Sequence, residues 1–381
     1  MRTPRLLLVL ALTLAAVAES AAQKQKEVEA REEREARKYA QTLESLKEPP
    51  AVVTAETARL IFHVSPLTAK GLLSEQARNA LKAIFALNRG ALIVRLRAFV
   101  AGSGDVRRIQ SLVSEIFADR RLPLPVLTVV QVGGLPLTGA QVVLESTAVA
   151  KKAVNPHGLA FISGQAVSSE EPMLDVAPLA ARSIENLNTA RRAAGVEPQD
   201  VARVTCFVSS LQDANTVRPK LISAFPKAAL NYVQIQRAPA QSIVECEAVA
   251  RLRAAVGEPL RFLNPAGLPE SPNYSHVAMV SAPKVVLSGA HLAFRFQDDD
   301  ARLAFQRLAK DLGSAGASLQ DVAMTGIYPL SNSIAGLVRK VRFEFLNPKR
   351  PPAATMLPFE DLPALDASFA LDVVAVLPNS Q

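Results

Sequence analysis

One unit recurs along this chain. Residues 198–225, "PQDVARVTCFVSSLQDANTVRPKLISAF", and residues 319–345, "LQDVAMTGIYPLSNSIAGLVRKVRFEF", both contain Gln-Asp-Val-Ala, a short apolar stretch, a polar break and a helix-patterned segment ending in Phe. Such self-similarity binds the chain to a repeat architecture. Each unit reads strand, helix, strand, helix, strand, strand. In the central copy "GLAFISGQ" (158–165) is the first strand, and Ala180, Ile184, Leu187, Ala190 and Ala194 keep helical spacing until Gly195 stops the helix. In the last copy "KVVLSGA" (284–290) parallels it, with Phe305, Leu308, Leu312 and Ala315 on the helix and Gly316 as the stop. A third, more divergent copy precedes both. There Ala77, Leu81, Ile84 and Leu87 mark one helix, "GALIVRLRAFVAG" (90–102) the middle strand, and Val106, Ile109, Val113 and Ile116 the second helix.

Two helices per four-stranded sheet make an open α+β sandwich with helices on one sheet face. Segments such as "VTCFV" and "FALDVVAVL" do not alternate cleanly between apolar and polar, so the other face must be buried as well. Three sheets in one chain satisfy this by packing on each other around a common axis. The expected fold is therefore α+β: three tandem sandwiches forming an intramolecular pseudo-trimer, sheets inside and helices outside. The repeats are expected at 58–151, 154–256 and 272–378. Trp is absent and aromatic residues make up 5% of the chain, so this core rests on Ala, Val, Leu and Ile.

The first residues read as a processing segment. Arg2 and Arg5 precede an apolar run from Leu6 to Val17, and Ala16/Ala18 or Ser20/Ala22 fit a small-x-small cleavage site, so 1–22 is an expected signal peptide and the product an exported, periplasmic or secreted protein. The run is too short for a membrane span, and none is expected in the mature chain. Residues 24–50 form a charged helix or linker. Glu27/Arg31 and Glu33/Arg37 sit at i,i+4 and support each other. This segment is either a spacer or a site of further self-association through 24–47. Export leaves two readings for Cys206 and Cys246: a disulfide, or two buried free thiols, the reading preferred on sequence. The formal charge of +8 is spread along the chain, which does not favour nucleic acid.

"FISGQ", "ENLNTARRAAGVEPQDVARVTCFVSS", "VECEAVA" and "NYSHVA" (273–278) together resemble the YjgF/RidA (reactive-intermediate deaminase) family, also described as endoribonuclease L-PSP. The resemblance spans most of 58–378. It implies a chorismate-mutase-like sandwich, a threefold assembly and ligand clefts between neighbouring units, here fused into one polypeptide. It also implies hydrolysis of amino-acid-derived enamines and imines without metal or cofactor. An Arg before a Leu-Pro turn would clamp the substrate carboxylate, through the two parallel bonds that a guanidinium makes. This chain departs from that pattern. The Arg position falls on Leu127, Leu230 and Ala354. The water-positioning Glu is kept only as Glu245, with Val143 and Ala370 at the equivalent places. Tyr274 and Ser275 match a pocket-lining segment, and Ser163–Gly164 and Ser288–Gly289 are bends expected at cleft edges.

Other chemistries find no pattern. His63, His157, His276 and His291 lack ligand spacing, so neither a metal site nor any cofactor is expected. Phosphate-binding and dinucleotide-binding loops and the G-x-S-x-G elbow are not found in the sequence. The expected function is a small-metabolite binder or scaffold without catalysis. The first alternative is an imine or enamine deaminase working in one surviving cleft, one involving Glu245 or Tyr274. The second is RNA binding or cleavage, which lacks a basic-aromatic stripe. An Arg reaching a cleft from a neighbouring unit would favour chemistry, whereas closed apolar clefts would favour a scaffold.

Overall fold

The computed structural model describes residues 47–377 apart from 103, 104, 172 and 174, together with five residues between 23 and 34, all helical. The expected signal peptide and most of the charged segment lie outside the described residues. From Glu48 onward the chain is one compact unit.

The first repeat is preceded by β1 (Val52–Glu56) and comprises β2 (Leu60–Val64), α1 (Leu73–Asn88), β3 (Leu92–Ala101), α2 (Arg108–Asp119), β4 (Val126–Val132) and β5 (Val142–Val149). The second comprises β6 (Leu159–Ser168), α3 (Ala177–Ala193), β7 (Val201–Val208), α4 (Ala214–Ala224), β8 (Ala229–Gln234) and β9 (Ile243–Arg251), followed by β10 (Leu260–Leu263) and β11 (Val277–Val280). The third comprises β12 (Lys284–Ser288), β13 (His291–Phe294), α5 (Asp298–Ser314), β14 (Val322–Pro329), α6 (Asn332–Val341), β15 (Ala353–Met356) and β16 (Ala367–Val376). Three sheets result, with strand orders β2-β5-β3-β4, β10-β11-β6-β9-β7-β8 and β1-β12-β16-β14-β15. In each, the middle strand runs parallel to the next edge strand and antiparallel to the last strand of its repeat.

The last strand of each repeat shows why clean alternation is missing. Val142, Leu144 and Ala148 of β5 face the helices α1 and α2, while Val143 of the same strand faces a core shared by all three repeats. On β16, Phe369, Leu371, Val373 and Ala375 pack beneath α5 and α6, and Val374 and Val376 meet residues of the other two sheets. Both faces are buried, so both carry apolar residues. On the helical side Phe305, Leu308 and Leu312 are fully buried, each contributing roughly 1.5–3 kcal/mol by the usual side-chain burial scale. The architecture is an α+β pseudo-trimer within one chain, sheets inside and helices outside.

Two strands sit outside their own repeat. β1 pairs with β12 in the third sheet, not with β2, so the start of the compact unit closes the ring onto its last repeat. β11, within the bounds expected for the third repeat, pairs with β6 in the second sheet. Side-chain pattern marks a strand's faces but not its neighbour, which is why neither pairing is visible locally.

The preferred reading of the cysteines is corrected. Cys206 on β7 and Cys246 on β9 lie directly opposite one another, with Cα atoms 4.1 Å apart, and are joined as a disulfide. The geometry of adjacent antiparallel strands brings them within bonding reach, and the bridge is buried beneath α3 and α4 in the second repeat's helix-facing core.

Candidate ligand-binding cleft

Strand register makes the three repeats comparable residue by residue. Leu127, Leu230 and Ala354 each lie opposite the same position of the middle strand, namely Leu96, Val204 and Thr325. Val143, Glu245 and Ala370 correspond in the same way, opposite Phe99, Phe207 and Tyr328. By register, each of these two trios occupies one equivalent position in the three repeats.

At these positions the junctions between repeats differ. Val143 and Ala370 are buried in the shared apolar core. Between the third and first repeats, backbone fills the space: Ala290 donates its N–H to the Leu127 carbonyl at 3.0 Å. A Cβ on Gly289 would lie 2.9 Å from that oxygen, so Gly289 is there for close backbone approach. Leu230 packs against the second repeat's helix-facing core.

Between the second and third repeats lies a cavity of about 400 Å³, within the range of small-molecule sites. It is lined from one side by Gly164, Ile243 and Glu245 and from the other by Ala335, Arg339, Arg342, Ala354 and Met356, with Tyr274 beside them. Glu245 reaches it because β9 alternates strictly: Cys246 points to the helices and Glu245 to the junction. Gly164 makes room for the carboxyl, since a Cβ there would stand 1.8 Å from Glu245 Oε1. Burial pushes the Glu245 carboxyl up to about 8, and neighbouring Glu247 adds to this. A backbone hydrogen bond from Met356 and the charge of Arg339 work the other way. Glu245 is thus a neutral acid at pH 7, able to donate a proton.

The third repeat supplies positive charge. Arg339 and Arg342 sit near the C-terminal end of α6, Arg339 exposed and Arg342 buried. Burial, then repulsion from Arg339, lowers Arg342 to about 10. Its Nη2 donates to the Asn273 carbonyl, while the buried Nε has no hydrogen-bond partner among the described residues. Neither guanidinium pairs with a carboxylate among the described residues. Tyr274 is raised by burial and by Glu245, and its ring meets that of His276 edge-on at 5.2 Å.

Of the residues singled out in the sequence, Glu245, Gly164, Tyr274 and Ala354 come together here. Ser163, Ser275 and Ser288 do not line the cavity. Ser163 Oγ donates to the Ser275 carbonyl at 2.6 Å and accepts the Ala354 N–H at 2.9 Å, tying β15 of the third repeat to β6 of the second. Ser288 Oγ accepts the Val373 N–H at 2.9 Å within the third sheet. Arg339 and Arg342 went unnoticed in the sequence. Their spacing of three in "GLVRKVRFEF" puts them on one helical face, but only the packing of α6 shows that this face borders a cleft.

Among the described residues no group of three or more His, Cys, Asp or Glu residues is arranged to hold a metal ion, and no helix is long and apolar enough to cross a membrane. Residues 143–256 match the family model described as Endoribonuclease L-PSP. Similar solved structures include a Rid-family protein of unknown function from Yersinia pestis, 16% identical over 32% of this chain and 100% of that one, with a TM-score of 0.29. A YjgF-family protein from Neisseria meningitidis is 13% identical over 32% and 97%, with a TM-score of 0.24. RidA from an Antarctic Psychrobacter is 18% identical over 24% and 80%, with a TM-score of 0.23. No curated protein matches the chain.

Proposed function

From a chain that belongs, through its central unit, to the endoribonuclease L-PSP (YjgF/RidA) family, we propose an exported, single-chain pseudo-trimer that binds a small anionic metabolite between its second and third repeats. The carrying observation is the charge of that cleft: two adjacent guanidiniums, one buried with a free donor, facing a carboxyl that burial keeps neutral. A buried cation without a carboxylate partner costs several kcal/mol, and a carboxylate bound beside Arg339 and Arg342 offsets that cost. The pair stands in for the clamping Arg whose position Ala354 occupies. The other two Arg positions have no comparable acid beside them, since Val143 and Ala370 replace it, so one cleft does the binding while the remaining repeats complete the body.

The test is calorimetric titration of the chain with small amino-acid-derived carboxylates such as pyruvate and 2-oxobutyrate. Saturable binding is expected, weakened at least tenfold by Arg339→Gln with Arg342→Gln, a loss of one to two charge-assisted hydrogen bonds. Absence of saturable binding, or binding indifferent to both changes, overturns the reading.

A second reading rests on the neutral Glu245. Its proton can pass to the nitrogen of a bound imine. The carboxylate left behind then takes a proton from the water that attacks the imine carbon, and collapse releases ammonia and a keto acid. Ammonia release from freshly generated amino-acid imines, abolished in Glu245→Gln, would establish this chemistry. Tight product binding without turnover would leave a binding protein.

A further inference from the structure

The cleft is polarised along its length. One face of α6 borders it throughout: Ser331 and Asn332 at the N-terminal end, Ala335 midway, Arg339 and Arg342 at the other end. The charged groups gather at the C-terminal end, where Arg339 acts on both Glu245 and Arg342 and Glu245 acts on Tyr274. The opposite end holds the cleft's large aliphatic side chains, beside the polar Gln236, Ser331 and Asn332. Ile235, Ile243, Leu330 and Leu357 line it, and the same four residues belong to or pack against the apolar core shared by the three repeats. Small side chains keep the path between the ends open: Ala335 and Ala354 are both buried yet border the cavity.

Resting on the anion-binding reading above, we infer that the ligand is an amphipathic monocarboxylate, its head on Arg339 and Arg342 and an unbranched apolar tail laid along α6 toward Ile235, Leu330 and Leu357. A simple keto acid would occupy only the charged end and leave the apolar end hydrated. From Arg339 to Ser331 the helix advances ~12 Å, at ~1.5 Å per residue, which suits a tail of roughly six to eight carbon atoms. The 400 Å³ volume accommodates a molecule of that size. Substituting Ala354 with the family's Arg would place a third cation midway and close this path. The loss at that position therefore widens the cleft as much as it removes a clamp.

The experiment is titration of the full chain with straight-chain carboxylates from acetate to decanoate at pH 7. Affinity is expected to rise roughly fourfold per added methylene, the usual burial gain, and to level off near eight carbons when the apolar end is full. Ala335→Leu narrows the middle of the path and should flatten that dependence, lowering octanoate affinity more than acetate affinity. Ala335→Val serves the same purpose if the larger side chain impairs folding. Equal affinity for acetate and octanoate overturns the amphipathic ligand but leaves the anion site standing. A chain-length gain that persists in Arg339→Gln and in the Ala335 variant marks nonspecific hydrophobic adsorption and also overturns it. Failure of every carboxylate to bind overturns both readings together.

Discussion

Glu245 is the acid in the lining of the cleft between the second and third repeats. Its carboxyl is raised to about 8 by burial first and Glu247 second. Carboxylate affinity should therefore be flat below pH 7 and fall as pH rises through about 8, because ionised Glu245 repels the ligand. Calorimetric titration from pH 6 to 9 checks this, with Glu245→Gln losing the dependence. Stability moves the same way. A carboxyl raised from its ordinary 4.5 binds more protons folded than unfolded across that interval. Its stabilising contribution is therefore full below about 4.5 and lost as pH rises to about 8, on the order of a few kcal/mol. Gly164→Ala tests the room behind the acid: a methyl 1.8 Å from Oε1 must displace the carboxyl or shift the strand. We expect weakened ligand binding and a loss of about 1–3 kcal/mol, the usual cost of overpacking, read from urea denaturation. Glu245 and Gly164 were legible because the resemblance covers "FISGQ" and "VECEAVA". Arg339 and Arg342 were not, because their meaning depends on which repeat α6 faces, and no local pattern encodes that.

At the scale of elements, the legible part was what local periodicity writes: six helices, the order of strands in each repeat, and sheets buried on both faces. The misplaced parts were pairings. Nothing in the local pattern of β1 or β11 names its partner strand, and the free-thiol preference treated Cys206 and Cys246 as separate sites although the middle and last strands of a repeat are neighbours. Their disulfide pins the register of β7 against β9 one residue from Glu245. It closes a loop with a sequence separation of 40, which the chain-entropy model values at about 2–4 kcal/mol. The paired change Cys206→Ala with Cys246→Ala should lower stability by that amount in urea denaturation. It should also weaken carboxylate binding, since the strand presenting Glu245 is no longer tied. Unchanged binding in a folded variant would show that the ladder of β9 alone holds the acid. The ring-closing strand makes a separate demand. Removing residues up to Glu56 uncovers the edge of β12, and bare edges pair with whatever strand they meet. Light scattering of that truncation should detect self-association that the intact chain does not show.

Across the whole molecule, the inner faces of the three sheets form two apolar layers, and a belt of charge lies between them. Three carboxylates at equivalent strand positions, Glu145, Glu247 and Asp372, meet three guanidiniums, Arg95, Arg97 and Arg203, so the belt is neutral as a set. Arg97 is its hub. Its Nη2 reaches Glu145 at 2.5 Å and Glu247 at 2.6 Å, while Nη1 lies 3.4 Å from the Tyr328 hydroxyl of the third repeat. Burial opposes ionisation of Glu145. Arg97 and Arg203, with hydrogen bonds from Thr205 and Asn231, outweigh it and hold the carboxyl at about 2. That contribution is present above about 4.5 and lost as pH falls toward 2, the opposite limb from Glu245. Arg97 and Arg203 join the first repeat to the second through Glu145 and Glu247, and Arg95 joins the first to the third through Asp372, so a departing repeat strands buried charge behind it. The repeats should therefore melt together, giving a single calorimetric transition. Arg97→Met removes the hub and leaves Glu145 and Glu247 short of a partner, an expected cost of about 3–5 kcal/mol. Adding Glu247→Met should recover part of that loss, since deleting a buried pair costs far less than breaking it. Resolved transitions in the unaltered chain would mean that each repeat folds on its own and that the belt merely decorates their contact. Resolved transitions in Arg97→Met alone would show that this side chain welds three sandwiches into one cooperative body.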